Sequence, residues 1–289
     1  MKRILIVGKN SYIGNCIEKW LTQEEVDKYR IEKTSVRNDE WKKIDLSGYD
    51  AILYVAALVH IKEKKKFWPD YLRLNAELPY EFAKKAKQSG VAHFIFFSTK
   101  AVFRPNTRVV DDNTELVPVS LYGKSKLEGE RRIRSIANDI FRVTVIRPPL
   151  VYGENCKGNF SKLVKLSKHI RFFPRVYNEQ SMIYIWNLCE LVKLIIEEPA
   201  SDSIILPQDE ELGGTTDIMV ALWEERQEKY HLSSLLAIFV KLMMKLRCSS
   251  SLNKMFMNSV YDPKVSCYYD NAYCIYSFRE AIRKMRPYN

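Results

Sequence analysis

An open, doubly wound parallel α/β sheet with a smaller C-terminal lobe is the fold this sequence predicts, and three observations predict it. Short, continuously apolar runs recur through residues 1–150, which is how strands buried on both faces of a parallel sheet read. Stretches of helical periodicity separate those runs, and such alternation argues for parallel crossovers. A glycine-bearing turn, Gly8-Lys9-Asn10-Ser11-Tyr12-Ile13-Gly14, joins the first apolar run to the first helical stretch.

Arg3-Ile4-Leu5-Ile6-Val7 is the first predicted strand, followed by the turn and a helix over Asn15–Leu21. Strand, turn and helix in this order can set backbone N–H groups and a helix N-terminus against a pyrophosphate. The spacing is Gly-x-x-Ser-x-x-Gly, with Ser11 where a glycine would allow the closest backbone approach; a tight turn with Gly14 packing helix on strand is the plain alternative. A second strand is expected at Tyr29–Val36, ending in Ser35-Val36-Arg37 with no carboxylate before Asp39. An acidic residue there suits the ribose of NAD and an arginine suits the 2′-phosphate of NADP, so the sequence leans to NADP or to weak discrimination between the two. Asp45 is a candidate for an adenine amino group or a turn residue.

The run Ala51-Ile52-Leu53-Tyr54-Val55 leads into Ala56-Ala57, small enough for a ligand to lie across the strand end. Leu58-Val59-His60 and the charged loop Lys62–Lys66 follow, in a position that suits a lid. Pro69–Ser89 has helical periodicity and contains Asn75; His93–Phe97 is a buried strand ending in Ser98-Thr99, where hydroxyls face the ligand edge of a parallel sheet. Ser120–Ala137 is a helix carrying Tyr122 and Lys126, four residues apart and so on one face. A free phenol ionises near pH ~10, and a neighbouring ammonium with a cationic cofactor ring would bring it towards neutrality and make it a base. Gly123-Lys124-Ser125 imitates a phosphate-binding loop, but Pro118 stands where that loop needs glycine, which excludes a nucleoside triphosphatase. After the strand Arg142–Ile146, Arg147-Pro148-Pro149 ends the sheet. A basic helix near Phe160–His169, the apolar Met182–Ile185 and a helix over Asn187–Glu198 follow.

The 289 residues are 46% hydrophobic, with 10 Gly and 11 Pro, enough for a large core and outside the disordered class. The six cysteines have no Cys-x-x-Cys spacing, and the chain runs from Met1-Lys2-Arg3 directly into a strand. Reduced thiols in the cytoplasm are therefore expected. The four histidines form no ligand spacing, so no metal is expected. The formal charge is +11, and residues 241–289 hold nine Lys/Arg against three Asp/Glu. A solvated basic surface is the first reading, and attraction to a nucleotide diphosphate or to the inner membrane leaflet the second. No nucleic-acid signature is present. Leu232–Leu246 is apolar nearly all round but too short to span a bilayer. It reads as a buried or homodimer-interface helix, with a peripheral membrane contact through 232–246 as the alternative.

Taken in order, Gly8…Gly14, Tyr54-Val55-Ala56-Ala57, Asn75, Ser98-Thr99, Tyr122…Lys126 and Arg147-Pro148-Pro149…Gly153 resemble the extended short-chain dehydrogenase/reductase superfamily. The resemblance is to its NAD-dependent epimerase/dehydratase branch, bacterial nucleotide-sugar 4-epimerases and 4-keto-sugar reductases. It implies a Rossmann-like dinucleotide-binding domain over 1–150, with a segment near 176–200 returning to it, and a substrate-binding lobe over 151–175 and 201–289. It implies NAD or NADP as cofactor, held by Gly8, Asn10, Ser11, Tyr12, Ile13, Gly14, Ser35, Arg37, Asp45, Leu46, Ala56, Ala57, Asn75, Ser98, Tyr122, Lys126 and Pro149. Tyr122 would be the acid/base, Lys126 would lower its pKa and hold the nicotinamide ribose, and Thr99 would orient the sugar hydroxyl. His60, Thr99, Lys100, Asn159, Arg175 and Gln180 would line the substrate, with Asn159 on its phosphates. The activity implied is epimerisation at C4 of a UDP-hexose or UDP-N-acetylhexosamine through a 4-keto intermediate, for surface polysaccharide biosynthesis. The alternatives are NADPH-dependent reduction of a UDP-4-keto-6-deoxy sugar and a non-catalytic dinucleotide-binding regulator.

Three positions depart from that pattern. Ser11 stands for the middle glycine and Ser35 for the acidic residue many relatives carry. Gln180 stands where many have an arginine for the diphosphate, and losing a charged donor there would weaken binding by about 1.5–3 kcal/mol unless Arg171 or Arg175 takes over. Lys100-Ala101 stands in place of the Asp-Glu pair of 4,6-dehydratases, which disfavours dehydration.

Overall fold

Each apolar run becomes a strand of one parallel sheet. In the computed structural model these are β1 (Lys2–Val7), β2 (Tyr29–Thr34), β3 (Ala51–Tyr54), β4 (His93–Phe97), β5 (Arg142–Ile146) and β6 (Ser203–Ile205). The structure describes residues 1–24, 27–59, 64–105, 107–198, 203–246 and 250–285. Every neighbouring pair is parallel, in the order β6-β5-β4-β3-β1-β2. Leu5 stands beside Ile52, Ile52 beside Phe94 and Phe94 beside Val143, one apolar row across four strands. β3 and β4 are buried throughout, whereas β2 at the edge carries Arg30, Glu32 and Lys33, charges that suit an unpaired edge. Because β2 and β3 flank β1 on opposite sides, the strand order reverses at β1, and ligands of such sheets bind at the carboxyl ends beside that reversal.

Helices α1 (Tyr12–Glu24), α2 (Leu78–Gln88) and α3 (Leu121–Arg134) connect the strands. α2 is the end of a longer helical run that starts at Trp68–Leu72 and passes through a π-helical turn, Arg73–Glu77. On one side of the sheet Trp41, Tyr54, Phe82, Phe94, Phe96 and Phe141 pack together, with the Trp41 and Phe82 rings stacked at 5.1 Å. Full burial of each such side chain stabilises by about 2 kcal/mol. His93 is a core residue whose Nε2 lies 2.9 Å from the Thr144 hydroxyl; burial pushes its pKa down to about 4.

The chain divides into two units. The first is Met1–Pro105, Glu115–Pro148 and Leu188–Pro207; the second is Asn106–Thr114, Pro149–Asn187 and Gln208–Asn289. The first holds the sheet and α1 to α3. Residues 188–197 of the helix Ile185–Glu197 pack there through Trp20 Nε1 to Glu190, 2.8 Å, and Lys2 Nζ to the Ile196 carbonyl, 2.7 Å.

The second unit is built from short parallel ribbons and helices. Leu150–Tyr152 pairs with Met182–Tyr184, and Phe172–Pro174 with His231–Ser233. Its centre is the buried Asp209 carboxylate, which accepts hydrogen bonds from the Tyr152 hydroxyl, the Asn187 amide and the Tyr184 backbone N–H. Leu232–Leu246 corrects one expectation: the helix Ser234–Lys245 buries only Ala237 and Val240 fully, so it is not a core helix of this chain. No described helix is long and apolar enough to cross a membrane.

Candidate active site

Gly8 leaves β1 with φ +128°, and a side chain there would sit 3.0 Å from the Ala56 nitrogen and from Val55. Its N–H and that of Lys9 both donate to the Thr34 carbonyl, tying the turn to the end of β2. Ser11 takes a defined role as the cap of α1, its Oγ accepting from the Gly14 N–H at 2.8 Å. Gly14 allows the helix to close on the sheet, since a Cβ would fall 2.6 Å from Ser11 Oγ and 2.9 Å from Ile6. The cap explains why serine serves at the middle position of the turn. Ile13, Asn10 and Tyr12 belong to the same turn and first helical residues.

At the end of β2, Ser35 Oγ accepts from the Arg37 N–H at 3.2 Å and the Arg37 side chain is exposed. Asp45 closes a local turn, accepting from the Ser47 N–H and hydroxyl, bonds that lower its carboxyl pKa. Leu46 beside it is fully buried in the core cluster. Ala56 and Ala57 follow β3. His60 lies outside the described residues.

The π-helical turn exists around Asn75, whose amide reads the backbone of the loop after β3. Its Oδ1 accepts from the Leu58 N–H at 2.7 Å, and its Nδ2 donates to the Leu58 carbonyl and to Ser125 Oγ at 3.0 Å. Ser125 in turn donates to the Tyr122 carbonyl at 2.9 Å. Asn75 and Ser125 are fully buried, so this chain of bonds fixes the helix of Tyr122 to the loop after β3. Two glycines let α3 approach. A Cβ on Gly129 would lie 2.4 Å from the Asn75 carbonyl, and one on Gly123 would lie 2.2 Å from the Ala101 carbonyl.

Gly123 thereby seats the start of α3 on the turn that follows Thr99. The Tyr122 hydroxyl is hydrogen-bonded to the Thr99 side chain, and Thr99 Oγ1 also accepts from the Ala101 N–H at 3.2 Å. Burial pushes the Tyr122 phenol up to about 12, against the pull of the Thr99 bond. One turn on, the Lys126 side chain is fully buried, with Nζ 3.9 Å from the centroid of the Phe96 ring and no hydrogen-bond partner among the described residues. Burial brings its pKa down to about 7, with Glu130 acting the other way. Lys100 is likewise lowered to about 7 by burial.

Glu130, a further turn along the same face, is the residue sequence reasoning missed. It accepts from Arg147 Nη2 at 2.6 Å and from the Ser98 hydroxyl, with all three side chains buried. Ser98, expected on the cofactor, is thus engaged in this ion pair. The four-residue spacing Tyr122, Lys126, Glu130 was the available signal. An ammonium buried without an acceptor is costly in the chain alone, and the ribose hydroxyls of a dinucleotide are acceptors of the right kind. With the glycine cradle at Gly8 and Gly14, the residues present fit NAD or NADP.

The remaining expected residues lie in the second unit. Pro149 is its first residue after the sheet, and Asn159 is exposed at the first turn of the helix Asn159–His169. Arg175 is exposed, whereas Arg171 is held by Glu228 and the Ser167 and Ile170 carbonyls. Gln180 donates through Nε2 to the carbonyls of Lys254, Met255 and Met257, at 3.0–3.2 Å, so it anchors the Ser250–Phe256 segment.

The profile of the NAD dependent epimerase/dehydratase family matches residues 4–200. A UDP-glucose 4-epimerase of Vibrio cholerae is 30% identical over 237 residues, 72% of this chain and 71% of that protein. Among solved structures, a UDP-glucuronic acid 4-epimerase of Bacillus cereus superposes with TM-score 0.75 at 17% identity, covering 99% of this chain and 96% of that one. A dTDP-4-dehydrorhamnose reductase of Clostridium acetobutylicum superposes with TM-score 0.64 at 20% identity, covering 80% and 82%. At such identities the two structures share the fold.

Proposed function

The chain belongs to the NAD dependent epimerase/dehydratase family, NAD(P)-dependent enzymes of nucleotide sugars, and from that premise we propose that it interconverts the C4 epimers of a UDP-hexose or UDP-N-acetylhexosamine for surface polysaccharide synthesis. The observation that carries this reading is the pair of hydrogen-bonded hydroxyls, Thr99 and Tyr122, at the carboxyl edge of the sheet with the buried Lys126 amine one turn away. A bound nicotinamide supplies the acceptor and donor of the C4 hydride. Thr99 orients the C4 hydroxyl, and Tyr122 takes its proton as the 4-keto sugar forms and returns it as the opposite epimer forms. Lys126 holds the ribose and, once paired there, favours the charged phenol. Gly8, Asn10, Ser11, Tyr12, Ile13 and Gly14 hold the pyrophosphate, and exposed Arg37 beside Ser35 favours the 2′-phosphate of NADP. Asn159 and Arg175 are the donors for the sugar-nucleotide phosphates, in what we read as the substrate-binding lobe.

The likeness to the Vibrio cholerae UDP-glucose 4-epimerase supports our reading of epimerisation ahead of reduction. The test is to incubate the protein with UDP-glucose or UDP-N-acetylglucosamine and NAD(P), following the sugar by NMR and the reduced cofactor by absorbance. The C4 epimer should accumulate to equilibrium with no net cofactor change. If only the 4-keto-6-deoxy sugar reacts and reduced cofactor is consumed one for one, the protein is a reductase. Cofactor bound without turnover of any such sugar would instead make it a regulator. For partners, a homodimer and a peripheral contact of 232–246 with the inner membrane face are the two readings, and the basic charge of that segment favours the second.

A further inference from the structure

The helix Ser234–Lys245 carries an apolar face that nothing among the described residues covers. Leu235, Ile238, Phe239 and Leu242 are 52–80% exposed, and at 100° per residue they form one stripe about 100° wide along the helix. The opposite side, centred on Ala237 and Val240, is the buried one. Lys241 and Lys245 are exposed and, by the same geometry, flank the stripe on one edge. The helix starts directly after His231–Ser233, whose partner strand presents Phe172, 52% exposed and stacked flat on the His231 ring.

The segment that carries this stripe has charge of one sign. Between Glu228 and Asp262 the sequence has no carboxylate, while Lys229, Lys241, Lys245, Arg247 and Lys254 fall within it. A face meant for a second copy of itself by a two-fold axis would bring these like charges together without a counter-charge from its own segment. An anionic lipid surface supplies both what the stripe needs and what the lysines need: acyl chains under the apolar side chains, and negative headgroups level with the ammonium groups.

We propose that the Ser234–Lys245 helix docks the protein on an anionic bilayer, lying in the interfacial plane with Leu235, Ile238, Phe239 and Leu242 inserted and Lys241 and Lys245 on the headgroups. The contact is peripheral, goes beyond the reaction at C4 and holds whatever sugar is turned over. The test uses the full chain and sedimenting vesicles of phosphatidylcholine, with or without about one third phosphatidylglycerol. The protein should pellet with the anionic vesicles, stay largely in solution with the neutral ones, and be released as salt is raised. The double variants Leu235→Gln/Phe239→Gln and Lys241→Glu/Lys245→Glu should each lower partitioning at least tenfold while keeping the wild-type melting temperature and NADPH binding, since these side chains are exposed. Failure of the wild type to pellet with anionic vesicles would overturn the proposal, as would binding that both folded variants retain. A wild-type dimer in sedimentation velocity that Leu235→Gln/Phe239→Gln converts to monomer would assign the face to a second copy and overturn it equally.

Discussion

Burial of the Lys126 amine works against the fold and for the site. Its folded pKa, about 7, lies below its ordinary 10.5. The penalty is therefore absent above about pH 10.5, grows as pH falls and is complete below about 7. Lys126→Met should accordingly stabilise the cofactor-free protein at neutral pH by about 2 kcal/mol while abolishing turnover, read by urea melts and initial rates. A variant less stable than wild type would mean that the ammonium is satisfied after all. Asp209 has the opposite sign: burial raises its carboxyl to about 6 from 3.8. Its contribution is fully present below about pH 3.8 and is lost as pH rises through 6, amounting to roughly 3 kcal/mol. Asp209→Asn should flatten the melting temperature between pH 5 and 8; an unchanged pH profile would contradict this. That Tyr122, Thr99 and Lys126 come together was legible because they lie in two short motifs, the strand end at Thr99 and the first turns of α3. Glu130 and the role of Asn75 were not, because each depends on partners far along the chain: Arg147 for one, and Leu58 and Ser125 for the other.

At the scale of elements, the site is set by how closely α3 approaches its neighbours. Gly123 and Gly129 leave no room for a methyl group against the Ala101 and Asn75 carbonyls. Gly123→Ala should lift the first turn of α3 away from Thr99, lowering kcat at least tenfold with a loss of about 1–3 kcal/mol in stability. Lys124→Ala, exposed on the same turn, should change neither, and an equal loss in both variants would refute the packing argument. Helix and strand positions were readable to within two or three residues: the expected Pro69–Ser89, Ser120–Ala137 and Tyr29–Val36 correspond to the run ending in α2, to α3 and to β2. The π-helical turn was not readable, since it is drawn out by the Asn75 bonds to the loop after β3 and leaves no mark on the hydrophobic period. Nor was the outward face of Ser234–Lys245, because apolar periodicity tells which residues share a face and not whether anything covers it.

For the molecule as a whole, the first unit follows from its sequence more directly than the second. Buried parallel strands announce themselves as unbroken apolar runs, whereas ribbons of three residues such as Leu150–Tyr152 and Phe172–Pro174 are too short for any period to register. The second unit is organised instead by buried polar hubs, Asp209 with Tyr152 and Asn187, and Gln180 with the carbonyls of 254–257. Gln180 shows the limit of position-by-position comparison. A residue expected on a diphosphate holds the Ser250–Phe256 segment, so phosphate recognition in our reading falls to Asn159 and Arg175. The Thr99 and Tyr122 hydroxyls, the Lys126 amine and the Gly8–Gly14 turn all belong to the first unit; in our reading the Tyr122 phenol moves the proton and the turn holds the cofactor, so one substitution should separate the two roles. The measurement is the turnover of Tyr122→Phe, with its affinity for the dinucleotide titrated by fluorescence. Turnover should fall by about 10³-fold or more with cofactor affinity within a few-fold of wild type. A Phe variant that still interconverts the sugars would contradict the assignment of Tyr122 as the acid/base.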